Sequence, residues 1–430
     1  MDEMSRVLQT STSALKSRFL TPPKNEGDMW LIQQTQDDSQ CIFLDGKRCS
    51  IYEARPTQCR TFPWWPQNIV SDYDWRLAAR QCEGINADPT SATESDTLPV
   101  NDVVSEAIIY DIHRSGEDYT YLELKEMLRD LQEIEPTFVE NYRSELRQKF
   151  RRAILHQDDQ VTVLDTFFEG AVPSRCFVFN DRLHLVQSEM QLQSDGQSVD
   201  PAVLVLDVHK AMSLALTLLT DRNANSGLKV ALLGSGGGSM ARYLLAQPNA
   251  VSKLDSVEPS SKVNQVARQY FGLEEVEQAD DRFQLYEEFG EAFVDRQVQS
   301  NTQYDLIVID VEDGSDHGVN APPTSMLNHD FLQNVVNLLT RDGMAVVNVI
   351  TDSDEALRSV TTAFASVFKE RGLYRSLPHN TVFYLFGEGR ANPPEPIQVA
   401  STATSEFTSL TQRVVDEPCV LYPLKTRPTQ

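Results

Sequence analysis

Basic charge is what this sequence has least of. Its 430 residues include 38 Lys and Arg against 63 Asp and Glu, a formal net charge of −25. Holding a phosphate backbone without regard to base sequence needs clustered cations, so a nucleic-acid partner is not expected. Long apolar runs are missing too: nothing approaches the roughly 18 apolar residues of a membrane span, and no membrane contact is expected. The opening MDEMSRVLQT lacks the basic end and apolar stretch of a secretory signal, which leads us to expect a soluble cytoplasmic protein, with organelle targeting left open. At 40% hydrophobic and 23% charged residues, the chain can bury proper cores, and its length suits two or three domains.

Cysteine is sparse and unevenly placed. Four of the six lie early, at Cys41, Cys49, Cys59 and Cys82, while Cys176 and Cys419 stand alone. In a reducing compartment such a group favours a metal site over disulfides, because thiolates bind soft or borderline metals. The spacing lacks paired C-x-x-C knuckles and does not by itself decide between metal and unrelated thiols. Around these cysteines run Cys41-Ile42-Phe43-Leu44-Asp45, then Cys49-Ser50-Ile51-Tyr52, Arg55-Pro56-Thr57-Gln58-Cys59-Arg60 and Pro63-Trp64, and finally Cys82-Glu83-Gly84. Over residues 1–90 this resembles the YkgJ-type zinc- or iron-chelating cysteine-cluster family. The resemblance implies that Cys41, Cys49, Cys59 and Cys82 are metal ligands, for zinc, iron or an iron–sulfur cluster. Four thiolates would close a structural site with no open position for chemistry. The family usually carries further cysteines upstream of the position where this sequence begins. Trp64 and Trp65 are expected to form a small core beside the metal.

Residues 86–101, rich in Ser, Thr, Asp and Pro, read as a linker and a domain boundary. Beyond it, Leu124, Met127, Leu128, Leu131 and Ile134 recur at helical spacing, and Phe138, Val139, Tyr142, Leu146 and Phe150 repeat the pattern. Two helices, the second ending in the basic cluster Arg143, Arg147, Lys149, Arg151 and Arg152, would make residues 91–159 a linker and helical spacer. Such a cluster is read as a solvated face or a docking surface for acidic parts of the protein.

The second half alternates β-rich runs with helical patterns, the mark of a parallel sheet covered by helices. The run 229–233 leads into Gly234-Ser235-Gly236-Gly237-Gly238-Ser239 and then a helical segment. A second strand follows and ends in Glu258, twenty residues after Gly238. Glycines there let backbone approach a ligand closely, and an acid at the neighbouring strand tip can accept from two ribose hydroxyls, which predicts a nucleoside-type cofactor. No lysine follows the loop as it would in a triphosphate-binding loop. The strand 304–310 ends in Asp310, Val311, Glu312 and Asp313, and that acidic rim suits a sulfonium better than a pyrophosphate.

Val186-Gln187-Ser188-Glu189, His209-Lys210, the glycine loop, Val257-Glu258-Pro259, Asp310 to Asp313, Pro322-Pro323, Phe331-Leu332-Gln333 and Asn348 occur in an order that resembles the spermidine-synthase-like methyltransferases, over about residues 160–390. The resemblance implies an α/β, class I, Rossmann-like fold with an N-terminal β-hairpin, and an S-adenosylmethionine-dependent protein methyltransferase. It implies a protein amine as acceptor, lysine or N-terminus, with translation elongation factor 1-alpha as the implied partner. Gly234, Gly236 and Gly238 would line the methionine part, Glu258 the ribose and Asp310 the region of the methyl group, with Gln187 reaching in from the hairpin at 175–179 and 183–190. One departure falls after Tyr286. Where the family has an acid before glycine, this chain has Phe289-Gly290, and Glu287 or Glu288 would have to supply the acid near the adenine.

Methyl transfer relies on positioning and electrostatics, so Asp310 and Glu312 are expected to orient the acceptor ammonium and help relay its proton. Asn348 reads equally as a satisfied core amide, and His209 and Lys210 as packing and surface on a helix over 203–219. The fold resemblance also embraces polyamine aminopropyltransferases, and an inactive cofactor-binding scaffold is a third reading. Oligomeric state is not legible. Residues 391–430 read as a tail with weak order signals in which Val420 to Pro423 dock locally.

Overall fold

The computed structural model describes residues 1–22, 30–35, 41–46, 48–82, 85, 98–117, 119–183, 185–219, 227–312, 314, 318–391, 395–399 and 419–424. Most of the linker at 86–101, Asp313 and most of the tail lie outside these residues. The chain forms two compact units, Met1–Arg151 and Arg152–Gln430.

In the first unit, helices Asp2–Val7 and Thr12–Phe19 and two minimal hairpins surround a small core of Met4, Leu15, Leu20, Phe43, Ile51 and Ala54. The expected helices appear as Tyr121–Ile134, opened by a capping box between Thr120 and Glu123, and Phe138–Lys149. A third helix, Val100–Arg114, lies ahead of them, and Val104, Ile108 and Ile109 pack with Leu124, Leu128 and Val139. Its Tyr110 stacks on Trp65 with ring centroids 4.9 Å apart. The region expected to be a separate spacer therefore packs into the same unit as the cysteine segment, and the division falls at 151/152 instead of near residue 90. Trp64 stacks on Trp75, so both tryptophans are packing residues, as expected. Arg151 and Arg152 sit on a strand rather than at a helix end.

That strand, β1 (Phe150–Gln157), pairs in a four-stranded sheet with β2 (Val161–Phe168), β3 (Ser174–Phe179) and β4 (Val186–Gln191). The expected hairpin is β3–β4, antiparallel. Helix α1 (Asp207–Leu218) then leads to the main sheet. In chain order its elements are β5 (Leu228–Leu233), α2 (Ser239–Ala246), β6 (Val251–Val257), α3 (Ser261–Phe271), α4 (Leu273–Ala279), β7 (Phe283–Tyr286), α5 (Gly290–Gln299) and β8 (Tyr304–Ile309). There follow β9 (Val319–Ala321), α6 (His329–Leu338), β10 (Leu339–Thr351), α7 (Asp354–Phe368), β11 (Gly372–Ser376), β12 (Thr381–Phe386), β13 (Ile397–Val399) and β14 (Cys419–Pro423).

The strand order is β7-β6-β5-β8-β10-β12-β11-β14-β13, with β9 pairing off β10. The first five are parallel and β12 runs antiparallel between β10 and β11. This is the class I methyltransferase arrangement that the resemblance implies. Strand alternation sends Val230, Leu232, Leu306 and Val308 to one core with α1 and α2, and Ala231, Leu233, Ile307 and Ile309 to another with α5, α6 and α7. From β5 the chain moves outward through β6 and β7, then crosses back to β8 on the other side. Ligands bind at such a switch point, beyond the carboxyl ends of the strands.

Candidate functional site

At that switch point a cavity of about 1030 Å³ opens, lined by residues from the tips of β5, β6, β8 and β10 and from the β3–β4 hairpin. Its floor is the glycine loop. Gly234 has φ +87°, and a Cβ there would lie 1.9 Å from the Asp310 carbonyl oxygen, so only glycine lets the two strand tips approach. The loop's amides are committed to the protein. Gly234 and Ser235 N–H donate to the Val257 carbonyl, Gly236 to Glu258, Gly237 to Ser188 Oγ and Gly238 to the Ser235 carbonyl. From Gly234 to Gly238 every N–H is thus taken within the protein, which sets these positions apart from nucleotide-phosphate cradles.

Glu258 follows β6. Oε2 accepts from Gly236 N–H at 3.2 Å and Oε1 from Ser260 N–H at 3.1 Å, and two of the roughly four carboxylate lone-pair positions stay open for hydroxyls. Burial raises its pKa above the usual glutamate value, against the opposing pull of the Ser260 and Gly236 N–H groups. Asp310 follows β8 and is set differently. Burial works to raise its pKa, yet the bond to His209 Nε2 at 2.9 Å, the charge of that ring and a 3.0 Å bond from Asn348 Nδ2 hold it below the ordinary value. Asn348 in turn accepts from Asn380 Nδ2 at 2.9 Å. It is the satisfied, buried amide its strand position suggested, but its partner is the Asp310 carboxylate.

The structure places Gln187, Gly234, Gly236, Glu258, Asp310 and Glu312 on one cavity wall or another. Gly238 is not among the lining residues. With φ +83° it begins α2, and a Cβ there would meet Leu273 at 3.1 Å, so its place is in helix entry and packing. Glu312 is held by Arg182 from the turn after β3, Nη1 to Oε1 2.9 Å. Neither Glu287 nor Glu288 lines the cavity. Glu287 accepts from Asn264 Nδ2 at 3.2 Å and Glu288 pairs with Arg296. His209, assigned from sequence to packing, is buried on α1 and lines the cavity; Lys210 pairs with Asp207 on the surface, as expected. The signal for His209 was present only in three dimensions, since 101 residues separate it from Asp310.

Several polar groups on the walls are uncommitted. Ser235 Oγ and His209 Nδ1 are buried without a hydrogen-bond partner, and the Gln187 side-chain amide has none among the described residues. Orphaned buried polar atoms are costly unless a ligand completes them, so the cavity fits a polar cofactor.

The four cysteines present another picture. Cys41 and Cys59 are exposed, and Cys49 and Cys82 half-buried. Burial raises the Cys59 pKa, and the charges of Cys41 and Cys49 raise it further, so these three thiols feel one another. Among the described residues, however, no group of three or more His, Cys, Asp or Glu could hold a metal. The arrangement as it stands does not fit the four-sulfur site implied by the resemblance.

Comparison with known proteins agrees with this division. Residues 3–83 match the CxxCxxCC family model of a zinc- or iron-chelating domain, and residues 210–379 match the spermine/spermidine synthase domain. The eEF1A lysine and N-terminal methyltransferase of Mus musculus is 28% identical over 184 residues, covering 41% of this chain and 26% of that protein. A polyamine aminopropyltransferase of Alkaliphilus metalliredigens is 31% identical over 173 residues, 36% of this chain and 56% of that protein. The crystal structure of human methyltransferase-like protein 13 with SAH matches at 25% identity and TM-score 0.40, over 49% of this chain and 91% of that one. The chain spans about a quarter of the length of its eEF1A-methyltransferase relatives.

Proposed function

We propose that the second unit is an S-adenosylmethionine-dependent methyltransferase acting on a protein amine. The observation that carries this reading is the combination on the cavity walls: a carboxylate with two open acceptor positions, a glycine loop whose N–H groups from 234 to 238 are all taken, and uncommitted donors at Ser235 and Gln187. Those features suit a ligand with a ribose and an amino-acid carboxylate but no pyrophosphate. Asp310, kept ionised, complements positive charge nearby.

In the proposed reaction the amine nitrogen, free of its extra proton, attacks the sulfonium methyl in line. The new N–C bond forms as the C–S bond breaks, its electron pair stays on sulfur, and the nitrogen then sheds a proton to solvent. A carboxylate held below its ordinary pKa is a weak base, so Asp310 orients the amine and stabilises the positive charge that develops on its nitrogen, with His209 and Asn348 fixing the two carboxylate oxygens. Glu312, already neutralised by Arg182, shapes the acceptor side more than it takes a proton.

The names of the eEF1A relatives support a protein substrate, and we propose an elongation factor of that kind as the first to test. An aminopropyltransferase is the second reading, favoured by the synthase-domain match and by Glu258, Glu291, Asp310 and Glu312 around one cavity. The uncommitted donors at Ser235 and Gln187 would suit a carboxylate that the decarboxylated cofactor of such an enzyme lacks. Incubation with methyl-labelled S-adenosylmethionine and cell protein should label protein. Polyamine formed from decarboxylated cofactor and putrescine, with no protein label, would reject the methyltransferase. For the first unit we propose a structural zinc or iron held by Cys41, Cys49, Cys59 and Cys82 once the sulfurs draw together, and elemental analysis tests it.

A further inference from the structure

The cofactor reading fixes the direction in which a bound nucleoside runs. With its amino-acid end over the tip of β5 and its ribose on Glu258 after β6, the base continues to the next strand outward, β7. A purine 6-amino group is a donor, and a site that reads it needs an acceptor there. Glu287 and Glu288 are the carboxylates that follow β7. Both are turned to other partners, Asn264 and Arg296, and neither reaches the cavity wall. The next residue does. Phe289 lines the cavity yet is 69% exposed, a large aromatic ring left without cover. Pro259 and Val263 supply apolar wall on the same side. Its backbone position is well held: the Phe289 carbonyl accepts from Phe293 N–H at 3.0 Å, and a Cβ on Gly290 would come within 2.7 Å of Met326.

We propose that Phe289 is the base-recognition residue of this site: its ring stacks on the purine, and the 6-position goes unread. This rests on the cofactor reading above. A face-on aromatic contact is indifferent to the substituent at that position, whereas a carboxylate acceptor is not. The remaining acid on this wall, Glu291, accepts from Ser325 Oγ through one of its oxygens.

Calorimetry with S-adenosylhomocysteine and its 6-oxo counterpart, S-inosylhomocysteine, separates the possibilities. The full chain should bind the two within about fivefold of each other. F289A should weaken both by roughly tenfold, as expected for loss of one base–aromatic stack, with an unchanged thermal midpoint. F289D should restore a preference for the 6-amino compound. A wild-type preference for the 6-amino compound above about thirtyfold, abolished in E291Q, would overturn the proposal while leaving the cofactor reading intact, as would F289A binding both compounds like wild type. Binding of neither compound to the wild-type chain would remove the cofactor reading and this inference together.

Discussion

The two units hold their chemically active residues in opposite ways. In the second, the residues on the cavity walls stand at the ends of strands whose flanks are buried on both faces, and Glu258 and Asp310 are set by backbone amides and by neighbours across the sheet. In the first, six buried residues make up the core beside the cysteines, and the thiols are spread over a bridge (Cys41), a minimal hairpin (Cys49), the short helix Thr57–Thr61 (Cys59) and the end of the helix Asp72–Gln81 (Cys82), two of them exposed. A large core can hold polar groups in a working arrangement before any ligand arrives. A small one has little with which to resist rearrangement, and a bound ion then contributes a sizeable part of the fold.

The contrast would be broken most directly at the cysteines. Zinc or iron should raise the unfolding free energy of the first unit alone by about 4 kcal/mol, and its midpoint with it, when free ion stands a thousandfold above its dissociation constant. C49S/C59S should abolish both the shift and the bound metal, read by differential scanning calorimetry and elemental analysis. Full metal retention in that variant would show the ligands to be elsewhere. Next in size is Gly234→Ala, which forces a Cβ onto the Asp310 carbonyl at a positive φ. It should cost the second unit about 3 kcal/mol or more and cofactor binding with it, while the first unit's transition stays put.

Glu258→Gln leaves the fold in place and should weaken S-adenosylhomocysteine roughly 10- to 100-fold by calorimetry. The pH dependence of the same binding sharpens the test. Because burial raises the Glu258 pKa and the ribose needs the ionised form, affinity should fall as pH is lowered through that raised value, with a proton released on binding below the point of half-protonation. The stability of the free fold has the opposite sense. The native state holds this proton more tightly than the unfolded chain, so this contribution is present below the ordinary glutamate range and is lost as pH climbs through the raised value. In the Gln variant both dependences should flatten. Arg182→Ala, which removes a partly exposed ion pair, should change stability by no more than about 1 kcal/mol.

Much of the second unit was legible because its signals are local. Strand, glycine turn, helix and acid follow one another within thirty residues, and each needs only its neighbours to be recognised. What escaped were partnerships across long separations. His209 and Asp310 lie 101 residues apart, and Arg182 and Glu312 lie 130 apart. A histidine one turn into an apolar helix looks like packing until the strand tip it faces is known. In the first unit the helix Val100–Arg114 was hidden behind a Ser- and Thr-rich stretch, and its Tyr110 meets Trp65 through a contact that no periodicity announces. The cysteine motif could be read, but not how its four positions are spread over separate short elements with little core beneath them.

The final strand has a practical bearing. β14 pairs Tyr422 with Tyr374 and Pro423 with Leu373 on β11, and Leu424 N–H closes on the Gly372 carbonyl at 2.8 Å. The local docking expected of Val420 to Pro423 thus covers a rim of the main sheet and buries Leu421 and Leu424. A polypeptide stopped at residue 390 would present β11 as an open hydrogen-bonding margin beside exposed aliphatic surface, ready to recruit a strand from another molecule. Such a truncation should precipitate or self-associate where the longer protein stays dispersed.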